Sequence, residues 1–295
     1  MSEQRVRVGV LGCGNVGAAL VGLIGAQGDV IEARTGLRLE VAKVAVRNMS
    51  RERPVELAEG VLTNDAGAVV DDPTIDLVVE VIGGIEPARE LIVQAVKSGK
   101  PVITANKELL ANHGAELFAV AEGASVDLLF EAAVAGGIPL IRPLRESLAG
   151  EQVHRVLGIV NGTTNYILTR MSEDGATYGE ALAEAQSLGY AERDPTADVE
   201  GYDAGAKAAI IATIAFGVRV VAGDVYHEGI SGITAADIAY AARKGLVVKL
   251  LAIAEHDPGT IGGGSMGGTV GVRVHPVMLP DTHPLSAVRE SFNAV

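Results

Sequence analysis

The 295-residue chain contains no tryptophan, a single cysteine, and only six tyrosines and four phenylalanines. A lone Cys13 excludes an intrachain disulfide and any cysteine metal cluster. So few aromatic rings leave little with which to stack nucleic-acid bases. An excess of 37 acidic over 24 basic residues, a net charge of −13, would repel a phosphate backbone. No nucleic-acid partner is therefore expected. Long apolar runs are also missing. Ala208 to Val218, counted as the longest uncharged apolar run, falls far short of the roughly 20 residues of a membrane span. Arg5 and Arg7 ahead of an apolar run have the outline of a secretory signal, but Gly9, Gly12, Gly14 and Gly17 suit a nucleotide loop better. A soluble cytoplasmic protein with no membrane partner is expected.

What the chain does have is glycine, 37 residues of it, within a composition that is 48% hydrophobic. That combination fits an α/β protein with many tight turns, and the length accommodates two domains. Val6 to Leu11 alternates into a strand. Gly12-Cys13-Gly14-Asn15-Val16-Gly17 follows at once and opens a helix expected over Ala18 to Ala26. In that strand, loop and helix context the glycine pattern is the fingerprint of a dinucleotide site. Gly12 permits the tight turn, Gly14 lets the backbone approach a pyrophosphate, and Gly17 lets helix and strand pack closely while the helix start attracts the anion. The second strand, Glu40 to Val46, ends in Arg47, where an NAD-specific fold usually places an acid for the ribose hydroxyls. Arg51 and Arg53 follow. Basic residues there suit a 2′-phosphate, so NADP is preferred over NAD, the alternative being that Arg47 faces solvent.

Further strands are expected at Ile75 to Ile82, ending in Gly83-Gly84, at Pro101 to Thr104 and at Val126 to Phe130, with a helix over Pro87 to Ser98. Thr104-Ala105-Asn106-Lys107 then lies at the carboxyl edge of a parallel sheet, where ligands gather. Glu131 to Pro139 sets a carboxylate beside a glycine-broken backbone, which offers oxygen ligands to a hard cation or forms an ordinary domain crossover. In the second half, a strand over Gln152 to Val160 ends in Asn161-Gly162-Thr163-Thr164-Asn165, ahead of a helix over Tyr166 to Met171. Backbone donors at that helix start, supplemented by Thr163 and Asn165, could hold a substrate carboxylate, and the same residues would also serve as plain caps. A helix over Thr177 to Leu188, a helix ending by Gly245 and a strand over Val270 to His275 make this half a helix-backed sheet. Gly259 to Gly268 reads as a peripheral loop. His275 and His283, each before a proline, read as structural.

The densest polar cluster is Gly189 to Lys207, with Glu192, Arg193, Asp194, Asp198, Glu200 and Asp203 ahead of the lysine. A helix from Tyr202 puts Asp203 and Lys207, four residues apart, on one face. A solvated helix start would use the same residues. The apolar run beyond argues instead that Lys207 is drawn out of water, where amines lose basicity and become usable in proton transfer.

Gly-Tyr-Ala-Glu (189–192), Asp-Pro-Thr-Ala-Asp (194–198) and the Asp203/Lys207 pair follow one another as they do in homoserine dehydrogenases. Val-Val-Glu-Val-Ile-Gly-Gly (78–84), Thr-Ala-Asn-Lys (104–107), Asn-Gly-Thr-Thr-Asn (161–165) and Ile-Thr-Ala-Ala-Asp-Ile (233–238) resemble the same family. The resemblance covers essentially the whole chain. It implies a Rossmann-type NAD(P)-binding domain over residues 1–135 and an α+β substrate and dimerisation domain with a helix-backed sheet over 136–295. The implied reaction interconverts L-homoserine and L-aspartate 4-semialdehyde, on the route to threonine, methionine and isoleucine. Lys207 would exchange the hydroxyl proton, Asp203 would orient it, and Lys107, which the family places in the active site, would lower its basicity by repulsion. Glu192 and Asp198 would take the substrate ammonium, and Asn161, Gly162 and Thr163 its carboxylate. Gly12 to Gly17, Arg47, Gly83, Thr104 and Lys107 would meet the cofactor. Glu131 with the carbonyls of Val134, Gly136 and Ile138 would hold a monovalent cation, Na+ or K+. A homodimer is implied as well. One departure is that the chain stops at Phe292-Asn293-Ala294-Val295, whereas the family continues through a further strand and a glycine-rich Thr-Ala-Ser segment. Two other readings stay open: another amino-acid dehydrogenase, and a non-catalytic NAD(P)-binding fragment or regulatory subunit.

Overall fold

A computed structural model describes residues 4–257 and 268–295, so the expected loop at Gly259 to Gly268 lies outside the described residues except for Gly268. The chain divides into two compact units, Met1–Glu131 and Ala132–Val295.

In the first unit the strands are β1 (Gln4–Leu11), β2 (Leu37–Ala45), β3 (Leu62–Thr63), β4 (Leu77–Glu80), β5 (Val102–Thr104) and β6 (Leu128–Leu129). All their pairings are parallel, in the order β3-β2-β1-β4-β5-β6. That is the dinucleotide-binding order, with its reversal between β1 and β4. Parallel strands need crossovers, supplied by the helices α1 (Asn15–Thr35), α2 (Ala66–Asp71), α3 (Ala88–Lys97) and α4 (Lys107–Ala124). Helices cover such sheets on both faces, so the strand centres are apolar throughout, as in the cluster of Val8, Val10, Val21, Val44 and Val79.

Helix α1 is longer than expected, running to Thr35 and closing on left-handed Gly36. Gly28 lies beyond the expected end at Ala26, but a crossover helix packed on a sheet tolerates it because tertiary burial outweighs the helix propensity it loses. Its uncharged stretch exceeds Ala208 to Val218, which corrects that count. With 21 residues and a mean hydropathy of 1.4 over its apolar window, α1 is the one described helix long and apolar enough to cross a membrane. Here it connects two paired strands and turns Gly17, Ala18, Val21, Ile24 and Gly28 inward.

The second unit holds β7 (Arg155–Gly158), α5 (Gly162–Glu173), α6 (Tyr178–Ser187), α7 (Thr196–Val199), α8 (Tyr202–Phe216), β8 (Tyr226–His227), α9 (Ala235–Arg243), β9 (Leu246–Asp257) and β10 (Thr269–Pro280). Its sheet runs β7-β9-β10-β8, antiparallel except between β10 and β8. Ile159, Leu251, Ile253, Leu279 and Leu285 centre its core. The last strand outruns the expected Val270 to His275, passing through Pro276 opposite Leu250. Proline is tolerated there because β8 pairs only with Arg273 and Val274, which leaves that edge open at Pro276.

Helix α5 also starts earlier than expected, at Gly162 rather than Tyr166. The Asn161 side chain accepts from the Thr164 amide at 2.9 Å, so Gly-Thr-Thr-Asn is the first helical turn despite its low helix propensity.

Within the apolar run of β9 sits Lys249, only 2% exposed. Burial pushes its ammonium down from 10.5 to about 8, with Arg289 adding to the effect and Glu173 opposing it. The unfolded chain keeps this proton up to about pH 10.5, so between about pH 8 and 10.5 it binds more protons than the folded state, and folding gains stability as pH rises. Wild type minus Lys249→Met should therefore show a urea midpoint difference that moves in favour of wild type between pH 7.5 and 10. A flat difference would contradict the burial argument.

Candidate active site

In the first unit the glycine loop does three different things. Gly12 sits at φ 104°, and a Cβ there would lie 2.7 Å from the Val81 carbonyl oxygen. A Cβ on Gly17 would come within 2.2 Å of the Gly12 carbonyl oxygen, so helix and loop meet backbone to backbone. A Cβ on Gly14 would meet nothing within 4 Å, and no side chain caps the helix that starts there. The position that packing leaves open is the one a pyrophosphate needs, beside uncapped first-turn amides. Gly12, Cys13 and Gly14 line a cleft of about 560 Å³ together with Gly83, Arg47 and Arg51. The residues present thus fit a dinucleotide.

Arg47 is exposed on the turn after β2. Arg53, expected to add to its charge, has a different task. Its guanidinium donates to the main-chain oxygens of Asn48, Met49 and Arg51, at 3.3 Å for Met49 and 2.6 Å for Arg51. It fastens the loop that carries Arg47 and Arg51.

At the carboxyl ends of β4 and β5 the organising group is Glu80, which is fully buried and has no role in the sequence reading. Its carboxylate accepts from the amides of Ile82 (2.8 Å) and Gly83 (3.2 Å) and from the Thr104 hydroxyl at 2.6 Å. Thr104 in turn accepts from the Asn106 amide, and the Asn106 side chain donates to the Gly84 carbonyl at 2.6 Å while capping the Leu109 amide at 3.1 Å. Gly83 and Thr104 are thereby locked to one carboxylate, and Lys107, half-buried, is the first residue of the capped helix α4. A charged residue closing an apolar strand was the available signal for Glu80.

In the second unit the opening of α8 is not a solvated helix start. Asp203 and Lys207 have side chains 6% and 16% exposed, and the Lys207 ammonium donates to Asp203 Oδ2 and to the Val160 carbonyl, both at 2.7 Å. Left-handed Gly201 begins the helix and the i, i+4 spacing supplies the geometry. Asn161 binds the cluster together. Its amide nitrogen donates to Asp203 (2.9 Å) and Asp198 (2.7 Å), and its oxygen accepts from the Thr164 amide and hydroxyl. Asp198, Asp203, Lys207 and Asn161 thus form one network that holds an amine between a carboxylate and the Val160 carbonyl. The loop before α7 is largely exposed. Glu192 stands exposed in that loop. Asp194 turns away, its carboxyl held below the usual range by the Thr196 hydroxyl and amide.

Two expected donors are already occupied. The Thr163 hydroxyl donates to the Tyr190 carbonyl at 2.6 Å, and the Asn165 amide nitrogen donates to the carbonyls of Val288, Glu290 and Phe292. Asn165 is consequently a clamp within the unit rather than a free ligand group. Main-chain amides are what remain at the start of α5. The chain segment from Glu131 makes a 3-10 turn to Ala133, then curls through Ala135 (φ 59°) and Gly136 (φ 60°), with the Ile138 amide returning to the Ala135 carbonyl at 3.1 Å. Val134 is buried. Among the described residues no group of three or more His, Cys, Asp or Glu is placed to hold a metal ion.

Comparison with known proteins follows the same two halves. Residues 12–131 match the family model described as "Homoserine dehydrogenase, NAD binding domain", and residues 139–295 match "Homoserine dehydrogenase". The chain is 53% identical over 290 residues to a homoserine dehydrogenase of Corynebacterium glutamicum, covering 98% of this chain and 64% of that protein. A solved homoserine dehydrogenase of Thiobacillus denitrificans aligns with a TM-score of 0.90 at 44% identity, over 98% of this chain and 65% of that one. A hyperthermophilic archaeal homoserine dehydrogenase solved in complex with NADPH aligns with a TM-score of 0.75 at 27% identity, over 96% of this chain and 84% of that one. The chain spans about 65% of the length of the curated relatives it matches.

Proposed function

This chain belongs to the homoserine dehydrogenase family, and on that premise we propose that it interconverts L-homoserine and L-aspartate 4-semialdehyde with a nicotinamide cofactor. The observation that carries the reading is the pair of buried Asp203 and half-buried Lys207, tied by Asn161 to Asp198. A small zwitterionic alcohol needs a carboxylate for its ammonium, donors for its carboxylate and a proton carrier at the reacting oxygen. That network and the main chain at the start of α5 would supply them.

Gly12 to Gly17 and Gly83 would hold the dinucleotide, with Cys13, Asn15 and Val16 contributing main chain at the helix start. Arg47 would meet a 2′-phosphate, which favours NADP over NAD, and Thr104 would border the nicotinamide side. When bound, the nicotinamide takes up or supplies the hydride. In the oxidative direction the Lys207 amine takes the hydroxyl proton, and in the reductive direction it returns one to the oxygen. Asp203 fixes the direction of that amine, and Lys107 is the second catalytic lysine. Glu192 and Asp198 receive the substrate ammonium. The main chain of Asn161, Gly162 and Thr163 receives its carboxylate, since the Thr163 hydroxyl proton is spent on Tyr190. The family premise also assigns Na+ or K+ to Glu131 and the carbonyls of Val134, Gly136 and Ile138, with turnover after exhaustive removal of both ions as its check. The reaction belongs to threonine, methionine and isoleucine supply in the cytoplasm.

The direct test is NADPH oxidation on adding aspartate semialdehyde. Lys207→Ala and Lys107→Ala should each lower turnover by about two or more powers of ten while NADPH still binds, the amount that positioned proton transfer commonly contributes. Near-normal turnover in Lys207→Ala would sink the assignment, and Lys207→Arg should give no rescue because arginine does not release its proton. Arg47→Asp should weaken NADPH more than NADH, since a carboxylate repels the 2′-phosphate yet can accept from ribose hydroxyls. Equal losses with both cofactors would remove Arg47 from the 2′-phosphate site. Two copies should associate through the sheet of the second unit, burying at least about 1,000 Å². A monomer in sedimentation at micromolar concentration would refute that arrangement.

A further inference from the structure

Lys249 has no place in the chemistry above, yet it sits 2% exposed as the fourth residue of β9. Its ammonium donates to the Asn165 side-chain oxygen at 2.9 Å and to the Val288 carbonyl at 2.5 Å. A lysine can only donate, so Asn165 must turn its oxygen toward Lys249 and its NH2 the other way. That NH2 then donates to the Glu290 carbonyl at 2.8 Å and, at 3.4 Å each, to those of Val288 and Phe292. One buried cation thus dictates which end of an amide meets the segment 288–292.

The segment so held lies directly against the start of α5. Ala294 pairs with Ile159 through two main-chain hydrogen bonds of 2.8 and 3.0 Å, two residues before Asn161. The Ser291 carbonyl oxygen would be 2.5 Å from a Cβ on Gly162, so this position accepts no side chain at all. Asn161, Gly162 and Thr163 are therefore fixed from the β7 side by Ala294, from above by Ser291, and one helical turn later by Asn165.

We propose that Lys249 and Asn165 are positioning residues for substrate recognition: by orienting the Asn165 amide, Lys249 pins segment 288–294 onto the first turn of α5 and so sets the main-chain donors that take the substrate carboxylate. The proposal rests on the assignment of that turn to the carboxylate. Without the lysine, the amide loses the partner that fixes its orientation. Its oxygen is then left buried without the lysine donor, the amide is anchored at one end only, and the segment loosens.

Amide hydrogen exchange on the whole chain reads the clasp without depending on activity. In Lys249→Met, exchange should quicken at least about tenfold at residues 158–166 and 288–294, the loss of roughly one buried hydrogen bond's worth of local stability. KM for L-homoserine should rise about tenfold, with kcat changed less than about threefold and NADPH affinity unchanged. If Lys249→Met does not fold, Asn165→Asp keeps a partner for the lysine but cannot donate to the carbonyls, and the same changes are expected. Unchanged exchange at 158–166 overturns the proposal. So does an unchanged KM for L-homoserine when 3-aminopropan-1-ol, which lacks the carboxylate, has a much higher one. A KM for 3-aminopropan-1-ol equal to that for L-homoserine would instead overturn the carboxylate assignment beneath it.

Discussion

A polar group taken out of water is tolerable only while it keeps its hydrogen bonds, and the second unit is arranged about that constraint at buried Asp203 and half-buried Lys207. Removing one partner from a buried pair typically costs about 3–5 kcal/mol, because the other charge is stranded out of water. An exposed pair such as Arg142–Glu146, with side chains 71% and 61% exposed, contributes about 0–1 kcal/mol. The difference explains why Asp203 does not stand alone. Asn161 donates to it and to Asp198, and the Val160 carbonyl takes a second proton of Lys207. Three elements, the end of β7, the start of α5 and the start of α8, are held in register by the need to satisfy one amine.

The first unit solves a different problem, the approach of backbone to a large anion. Crowding at Gly12 and Gly17 contrasts with open space at Gly14, so the loop is rigid on two sides and empty on the third. A fully buried carboxylate does for the neighbouring edge what Asn161 does in the second unit. Glu80 collects two amides and a hydroxyl, joining the turn after β4 to the end of β5. Charge-assisted hydrogen bonds of this kind are about twice as strong as neutral ones, enough to set a loop that packing alone would leave loose.

Lys207 and Lys249 share a unit but not an environment. Lys207 faces a carboxylate, whereas Lys249 donates to a neutral amide and a main-chain carbonyl, and burial depresses its basicity to about 8. The first arrangement pairs an amine with a carboxylate on the same helix face. The second uses a donor with no acceptor capacity to decide the orientation of an amide. Burial alone therefore does not mark a lysine as chemical, and the partners it donates to are the better guide.

How much of this was legible in the sequence depends on how far apart the interacting residues are. The strand, glycine loop and helix at Val6 to Gly17 could be read directly, because the turn and the helix start are local events. Asp203 and Lys207 could be paired because a helix fixes the i, i+4 distance. Element limits were read less well where local preference and packing disagree, as at Gly28 in α1 and at Gly-Thr-Thr-Asn in α5, where an Asn161 cap and tertiary burial outweigh propensity. Arg53 and Asn165 were assigned outward roles because their residue types suit ligands, and only the fold shows the carbonyls that occupy them. The sequence by itself determined the parallel nucleotide-type half, the polar cluster ahead of a buried helix and the spacing of its Asp203–Lys207 pair. The tertiary structure decided that Asn161 reaches Asp198 and Asp203, that Glu80 reaches Thr104, and that Lys249 meets Asn165. Those partners lie 24 to 84 residues apart along the chain, and no local pattern encodes a hydrogen bond that forms only when distant strands and helices pack.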